Sequence, residues 1–252
     1  MTPAPARQVA LVTGGAKRVG EAIALELAAG GADVLIHYHS SAPASVEATL
    51  NAIRAQGVRA AAEQADLGDA AGVEALFAGL ERHFGRLDIL VNSAALFQQR
   101  RLHEVSLEDW ESTMAVNLRA PFLCTQAAAR RMRAQQPAGG VIINILDRGV
   151  DGPWQAYAHH GVSKAALWAL TQVSALELAP EIRVNAVIPG PVLPSADMSV
   201  ERWQAVTAAT PLGSSGSAQD VARAVRFLVG ADYVSGEAVR VNGGEHLGIR
   251  RA

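Results

Sequence analysis

Short apolar runs alternate with longer segments of helical period along the whole chain. Val9–Thr13, Asp33–His37, Arg59–Gln64, Leu87–Asn92, Val141–Leu146, Arg183–Ile188 and Ala238–Asn242 read as seven strands. Val141–Leu146 is nearly all apolar, as a strand covered on both faces should be. Helices are predicted over Gly20–Ala29, after the second strand through about Ala55, over about Leu107–Met132 and over Tyr157–Leu178. This alternation predicts an α/β fold, a seven-stranded parallel sheet with helices on both faces. No repeat, low-complexity tract or linker interrupts it, so residues 1–252 read as one domain. Pro189–Ser217 is rich in Pro, Gly and Ser and is expected to be a lid or substrate loop.

Composition narrows the class. A chain of 252 residues, half of them hydrophobic, can bury a large core. A formal net charge of −2 gives no basic surplus for nucleic acid or anionic lipid. Cys124 is the single cysteine, which excludes an internal disulfide, and it reads as a small buried hydrophobe. No run approaches the roughly 20 apolar residues that span a bilayer. Met1–Gln8 lacks the apolar stretch of a signal peptide, so a reducing cytoplasm is the expected location.

The first strand runs into Thr13-Gly14-Gly15-Ala16-Lys17-Arg18-Val19-Gly20 and then a helix. Glycines let the backbone turn sharply and approach a pyrophosphate, which the helix N-terminus attracts through its free N–H groups. In this strand–turn–helix context the segment predicts dinucleotide binding. The place where a carboxylate would hold a ribose 2′-OH reads His37-Tyr38-His39-Ser40-Ser41, with no acid. Lys17 and Arg18 stand where a 2′-phosphate is within reach, so NADP(H) is expected over NAD(H). The blander readings are solvated charges for Lys17 and Arg18 and a buried strand position for His37.

With these motifs the chain resembles the short-chain dehydrogenase/reductase family along almost its whole length. The resemblance rests on Thr13–Gly20, Asp66-Leu67, Asn92-Ser93-Ala94, Asn117 in Val116-Asn117-Leu118-Arg119, Ser163-Lys164, Asn185–Gly190 and Val241-Asn242-Gly243-Gly244, in that order and spacing. It implies a Rossmann-type doubly wound sheet and a homotetramer. It implies also that Asp66 contacts the adenine, Asn92 the adenine ribose region and Pro189-Gly190 the nicotinamide side. Three features are similar to the pteridine reductase branch: Lys17-Arg18-Val19-Gly20, His37-Tyr38-His39-Ser40, and Asp147, where most of the family has serine.

The family's machinery is a tyrosine that donates a proton, a lysine that holds the nicotinamide ribose, a serine or aspartate, and an asparagine that supports the lysine. Lys164, Asn117 and Asp147 occupy three of these positions, but the tyrosine position, four before the lysine, is His160. Residues spaced i, i+4 share a helix face, so His160 stands as the tyrosine would. Imidazole also donates protons, with an ordinary pKa of about 6.5. Lys164 would lower that value and Asp147 would raise it, so the sign is open. His160 therefore reads as a substitute proton donor, or as the mark of a member with altered or lost chemistry that only binds nucleotide.

Tyr157 shares the stripe, but seven residues rise about 10.5 Å on a helix, too far for the usual contact with Lys164 unless the helix begins after it. Tyr157, Phe97, Trp154 and the lid residue Leu193 are candidates for the substrate pocket, with core packing as the alternative. The reading favours a pteridine or similar planar substrate for an NADPH-dependent reductase. The rivals are a carbonyl or 3-oxoacyl reductase of the same family and a non-catalytic dinucleotide-binding protein. No metal is expected.

Overall fold

The computed structural model describes residues 7–195 and 198–248. Seven strands form one sheet in the order β3-β2-β1-β4-β5-β6-β7. They are β1 (Val9–Val12), β2 (Asp33–Tyr38), β3 (Ala60–Gln64), β4 (Ile89–Asn92), β5 (Gly140–Ile145), β6 (Ile182–Pro189) and β7 (Ala238–Val241). Every pairing is parallel, from Val9 against Asp33 at the β1–β2 seam to Pro189 against Val241 at the β6–β7 seam.

Helices cover both faces: α1 (Arg18–Ala29), α2 (Pro43–Arg54), α3 (Ala70–His83), α4 (Leu107–Met114), α5 (Ala120–Ala134), α6 (Ala158–Leu178), α7 (Val200–Ala208) and α8 (Ala218–Gly230). The strand period of two assigns the layers. Ala10 and Val12 of β1 pack with Ile23, Val46 and Val225 on one face, while Val9 and Leu11 pack with Leu76, Leu80 and Ala128 on the other. Both sets are buried, which is why these strands read as continuous apolar runs. The expected Rossmann-type doubly wound sheet is the fold observed.

Two expectations need correction. The helix read over Leu107–Met132 is broken by a π-helical turn at Ala115–Arg119 between α4 and α5. Pro121 supplies the physical reason: it has no N–H for the Asn117 carbonyl four residues back, and its ring crowds that group. The wider turn sits under Asn117, which is fully buried. The second correction concerns Pro189–Ser217, which contains α7, capped by the Ser199 side chain accepting from the Arg202 N–H at 3.2 Å.

With all strands parallel, their C-terminal ends and following loops gather on one edge of the sheet. The chain reverses its winding direction between β1 and β4, which opens a crevice there.

Candidate active site

The crevice between β1 and β4 is a cleft of about 670 Å³. Its floor is the turn after β1. Gly14 has φ +65°, a left-handed conformation that suits glycine. A β-carbon on Gly20 would stand 2.1 Å from the Gly14 carbonyl oxygen, so α1 packs against the turn only because residue 20 has no side chain. Thr13 Oγ1 accepts from the N–H groups of Ser93 and Ala94, at 2.9 and 3.0 Å, and joins this turn to the loop after β4.

Gly14, Val19 and Gly20 line one side of the cleft with Lys17 and Arg18. His37, Tyr38, His39 and Ser40 line the end of β2, Asp66 and Leu67 the end of β3, and Ser93 and Ala94 the opposite wall. Asp66 is steadied by the Gly68 N–H at 2.8 Å on Oδ1. Lys17 is exposed. Arg18 has φ +55°, uncommon for a side chain of its size, and its Nη2 donates to the Pro194 carbonyl at 2.7 Å. Arg18 thus ties the turn to the segment after β6.

Two residues read as cofactor contacts have interior partners. His37 is buried beneath the turn, where its Nδ1 accepts from the Gly14 N–H at 3.1 Å and its Nε2 donates to the Ala65 carbonyl at 3.0 Å. That pattern fixes a neutral ring, and burial lowers its pKa accordingly. With both nitrogens engaged, His37 braces the glycine turn. Asn92 donates from Nδ2 to Asn144 Oδ1, and Asn144 donates to Thr171 Oγ1, each at 2.8 Å, in a network under the sheet edge.

At the β5 end lies a second cluster. Asp147 follows β5 and caps a short 3-10 turn, Arg148–Val150, its Oδ1 accepting from the Gly149 N–H at 3.0 Å. Its Oδ2 lies 3.7 Å from His160 Nε2. His160 and Lys164 are buried on the inner face of α6, one turn apart. His160 Nδ1 lies 3.0 Å from the Leu96 carbonyl oxygen. A carbonyl only accepts, so Nδ1 carries a hydrogen. Nε2 is buried without a hydrogen-bond partner among the described residues and is the nitrogen that faces Asp147.

Asn117 holds Leu96 at both backbone groups, accepting from its N–H at 2.8 Å and donating to its carbonyl at 3.0 Å. The Asn117 amide also donates to Ser163 Oγ at 3.1 Å. The π turn therefore fixes the carbonyl that orients His160. Ser163 was visible in sequence only as part of the Ser163-Lys164 motif, and Leu96 not at all, because its acting group is backbone, to which sequence is silent. Lys164 Nζ donates to the Ile145 carbonyl at 2.8 Å. Complete burial lowers its pKa to about 8, against the opposing pull of Asp147.

Tyr157 stands just outside α6 at its N-cap position, so the helix does begin after it. Its ring stacks on Trp154 at 4.1 Å and on Phe97 at 4.8 Å between centroids, and burial raises its pKa. Phe97 also presents itself to the His160 ring in T-shaped contact at 4.8 Å. The structure thus brings Phe97, Trp154, Tyr157 and His160 together. Leu193 is half-buried in the segment after β6, beside Pro194. Pro189 ends β6 and Gly190 follows it, packed against Asn242.

The fold and the glycine-floored crevice define a dinucleotide-binding α/β protein. A family model described as enoyl-(acyl carrier protein) reductase matches residues 14–246. An uncharacterized oxidoreductase of Methylorubrum extorquens is 38% identical over 245 residues, covering 94% of this chain and 97% of the relative. The 3-oxoacyl-[acyl-carrier-protein] reductase FabG of Staphylococcus aureus is 35% identical, with 94% and 98% covered. The crystal structure of FolM alternative dihydrofolate reductase 1 from Brucella canis, complexed with NADP, superposes with a TM-score of 0.87 at 32% identity, covering 95% and 94%. The chain belongs to the short-chain dehydrogenase/reductase family of oxidoreductases. Among the described residues, no helix is long and apolar enough to cross a membrane.

Proposed function

We propose that this protein is an NADPH-dependent reductase whose substrate is a pteridine or a similar planar heterocycle with a C=N bond. The observation that carries the reading is the juxtaposition of Asp147, His160 and Lys164 beside a cluster of aromatic rings.

The cleft fits the cofactor. It is floored by Gly14 and Gly20, and its β2 end offers Tyr38, His39 and Ser40 but no carboxylate. Lys17 and Arg18 flank it as cations for a 2′-phosphate. The solved relative from Brucella canis, with its bound NADP, supports the same cofactor. When bound, the reduced nicotinamide supplies a hydride.

The chain supplies the proton. In the imidazolium form His160 Nε2 carries a hydrogen and faces Asp147 Oδ2 at 3.7 Å. On reduction of the C=N bond the Nε2–H bond would break and an N–H bond would form on the substrate nitrogen. The ring is left neutral, with Nδ1–H still held by the Leu96 carbonyl. Asp147 is partly exposed and returns a proton from solvent to Nε2. Lys164 would hold the nicotinamide ribose, and Asn117 keeps Leu96 in place. Phe97 is partly exposed and offers a flat face to a planar substrate.

A ring C=N with basic nitrogens asks less of its acid than a ketone does. Imidazole is therefore a workable donor for such a substrate, and the aspartate at position 147 fits it better than a serine would. The second reading, a carbonyl or 3-oxoacyl reductase, is favoured by the likeness to FabG. Assembly as a homotetramer and a cytoplasmic location accompany the proposal.

The test is NADPH oxidation, followed optically, with dihydropterin and dihydrofolate against a panel of ketones and 3-oxoacyl thioesters. Turnover of the pterins above the ketones supports the reading. Turnover of ketones alone favours the second reading. NADPH binding without any turnover identifies a nucleotide-binding protein that has lost chemistry.

A further inference from the structure

The loop that carries Asp147 is fastened at both ends to the C-terminal part of the chain. Arg148, next to Asp147, pairs with Glu245 on the turn after β7. Its guanidinium also lies over the Trp154 ring, 5.0 Å from the centroid. At the other end of the same short turn, Asp151 receives two-pronged donation from Arg240 of β7: Nη2 to Oδ1 at 2.6 Å, and Nε to Oδ1 and Oδ2 at 3.0 and 3.1 Å. The two pairs have opposite polarity, with an arginine and an aspartate on the loop answered by a glutamate and an arginine from the C-terminal segment. Between them the loop lies tight against α6, since a β-carbon on Gly149 would stand 3.2 Å from Gly161 Cα.

This anchoring bears on the acid. Asp147 Oδ2 is 3.7 Å from His160 Nε2, a separation at which a small shift either makes a hydrogen bond or loses the pairing. The charged groups around His160 are Asp147 from the loop and Lys164 from its own helix, with His159 adjacent. Asp147 alone among them sits on a loop, and a loop is held only by what it is fastened to.

We propose that Arg240 and Glu245 are positioning residues for the Asp147–His160 pair: through Asp151 and Arg148 they set where the Asp147 carboxylate stands. The kinetic consequence rests on the reductase reading above, whereas the geometric consequence does not.

The experiment uses the full-length protein with NADPH present. Arg240→Gln and Glu245→Gln are compared with wild type, together with the reversed pair Asp151→Arg/Arg240→Asp. Hydrogen exchange at the Gly149 amide, which donates to Asp147 Oδ1 at 3.0 Å, reports on the loop without any turnover. The expected result is faster Gly149 exchange and a kcat lower by about tenfold in each single variant, because displacements near 1 Å are costly in a preorganised site. KM for NADPH should stay unchanged, and the reversed pair should recover kcat.

Should Arg240→Gln not fold, Glu245→Gln on its terminal turn carries the same readouts. Wild-type exchange at Gly149 together with wild-type kcat in a folded variant overturns the proposal. A parallel rise in KM for NADPH with no recovery in the reversed pair overturns it too, since that marks general loosening. If the wild type turns over no substrate, the reductase reading fails, and Gly149 exchange still decides the positioning claim.

Discussion

The two ends of the cleft are built on different principles. The end over β1 and β2 is made of backbone: Gly14 in a left-handed conformation, Gly20 with no room for a side chain, and a turn tied to the next strand through Thr13. The end over β5 and α6 is made of side chains whose partners come from distant segments, with His160 answering Leu96, Asp147 and Phe97. Backbone geometry leaves few residue choices, so the first end admits little change. A side-chain cluster keeps its shape when one proton donor replaces another, provided its neighbours hold. The second end is therefore where a substitution is expected to be tolerated.

That contrast can be attacked first at the acid. Replacing His160 with alanine should lower kcat by about 10²–10⁴, the usual worth of a positioned proton donor, and leave NADPH affinity intact. Steady-state kinetics beside a fluorescence titration with NADPH checks both halves. At the other end, Gly20→Ala forces a β-carbon to within 2.1 Å of the Gly14 carbonyl oxygen. Overpacking of this kind costs about 1–3 kcal/mol, so NADPH should bind roughly 10–100-fold more weakly while kcat at saturation changes little. Equal effects of the two substitutions on binding and on turnover would erase the distinction between the ends.

Lys164 sharpens the comparison through stability. Burial lowers its pKa to about 8 from an ordinary 10.5. Between those values the unfolded chain is protonated at this lysine and the folded chain is not, so this group makes stability rise with pH from about 8 to 10.5. Below pH 8 the folded protein carries the full cost of a buried charge. Lys164→Met should therefore stabilise the fold at pH 7 by up to about 3 kcal/mol, less the lost Ile145 hydrogen bond, and so raise the thermal midpoint, while turnover collapses. A destabilised Lys164→Met protein would show instead that the lysine supports the fold. The smallest expected effect is at Arg18, where alanine removes both the Pro194 tie and one cation proposed for the 2′-phosphate. A loss of about tenfold or less in NADPH affinity, with NADH affinity unchanged, is the expected outcome.

The same division governs what could be read from sequence. The strands were legible because both faces of the sheet are covered, which prints runs such as Val141–Leu146 on the chain. The glycine turn was legible because its residues are dictated by backbone shape. What the sequence hid lies in tertiary relations. His37 occupies a cofactor motif yet spends both ring nitrogens beneath the turn. The π turn at Ala115–Arg119 follows from Pro121, a signal present in the sequence but masked by the long helical period. The role of the Leu96 carbonyl belongs to no side chain, and the anchoring of Arg148 and Asp151 joins segments some 90 residues apart. Tyr157 and His160 were both visible as candidates, but only the fold separates a ring packed among aromatics from one that faces Asp147.

The most direct measurement is the pH dependence of kcat for NADPH-driven dihydropterin reduction, set beside the protonation of the His160 imidazole followed by nitrogen-15 NMR in the same enzyme. If His160 hands over the proton from Nε2, the rate falls with rising pH in step with the imidazolium signal, and the limb vanishes in His160→Ala. A rate that stays level while His160 loses its proton would contradict the role assigned to it.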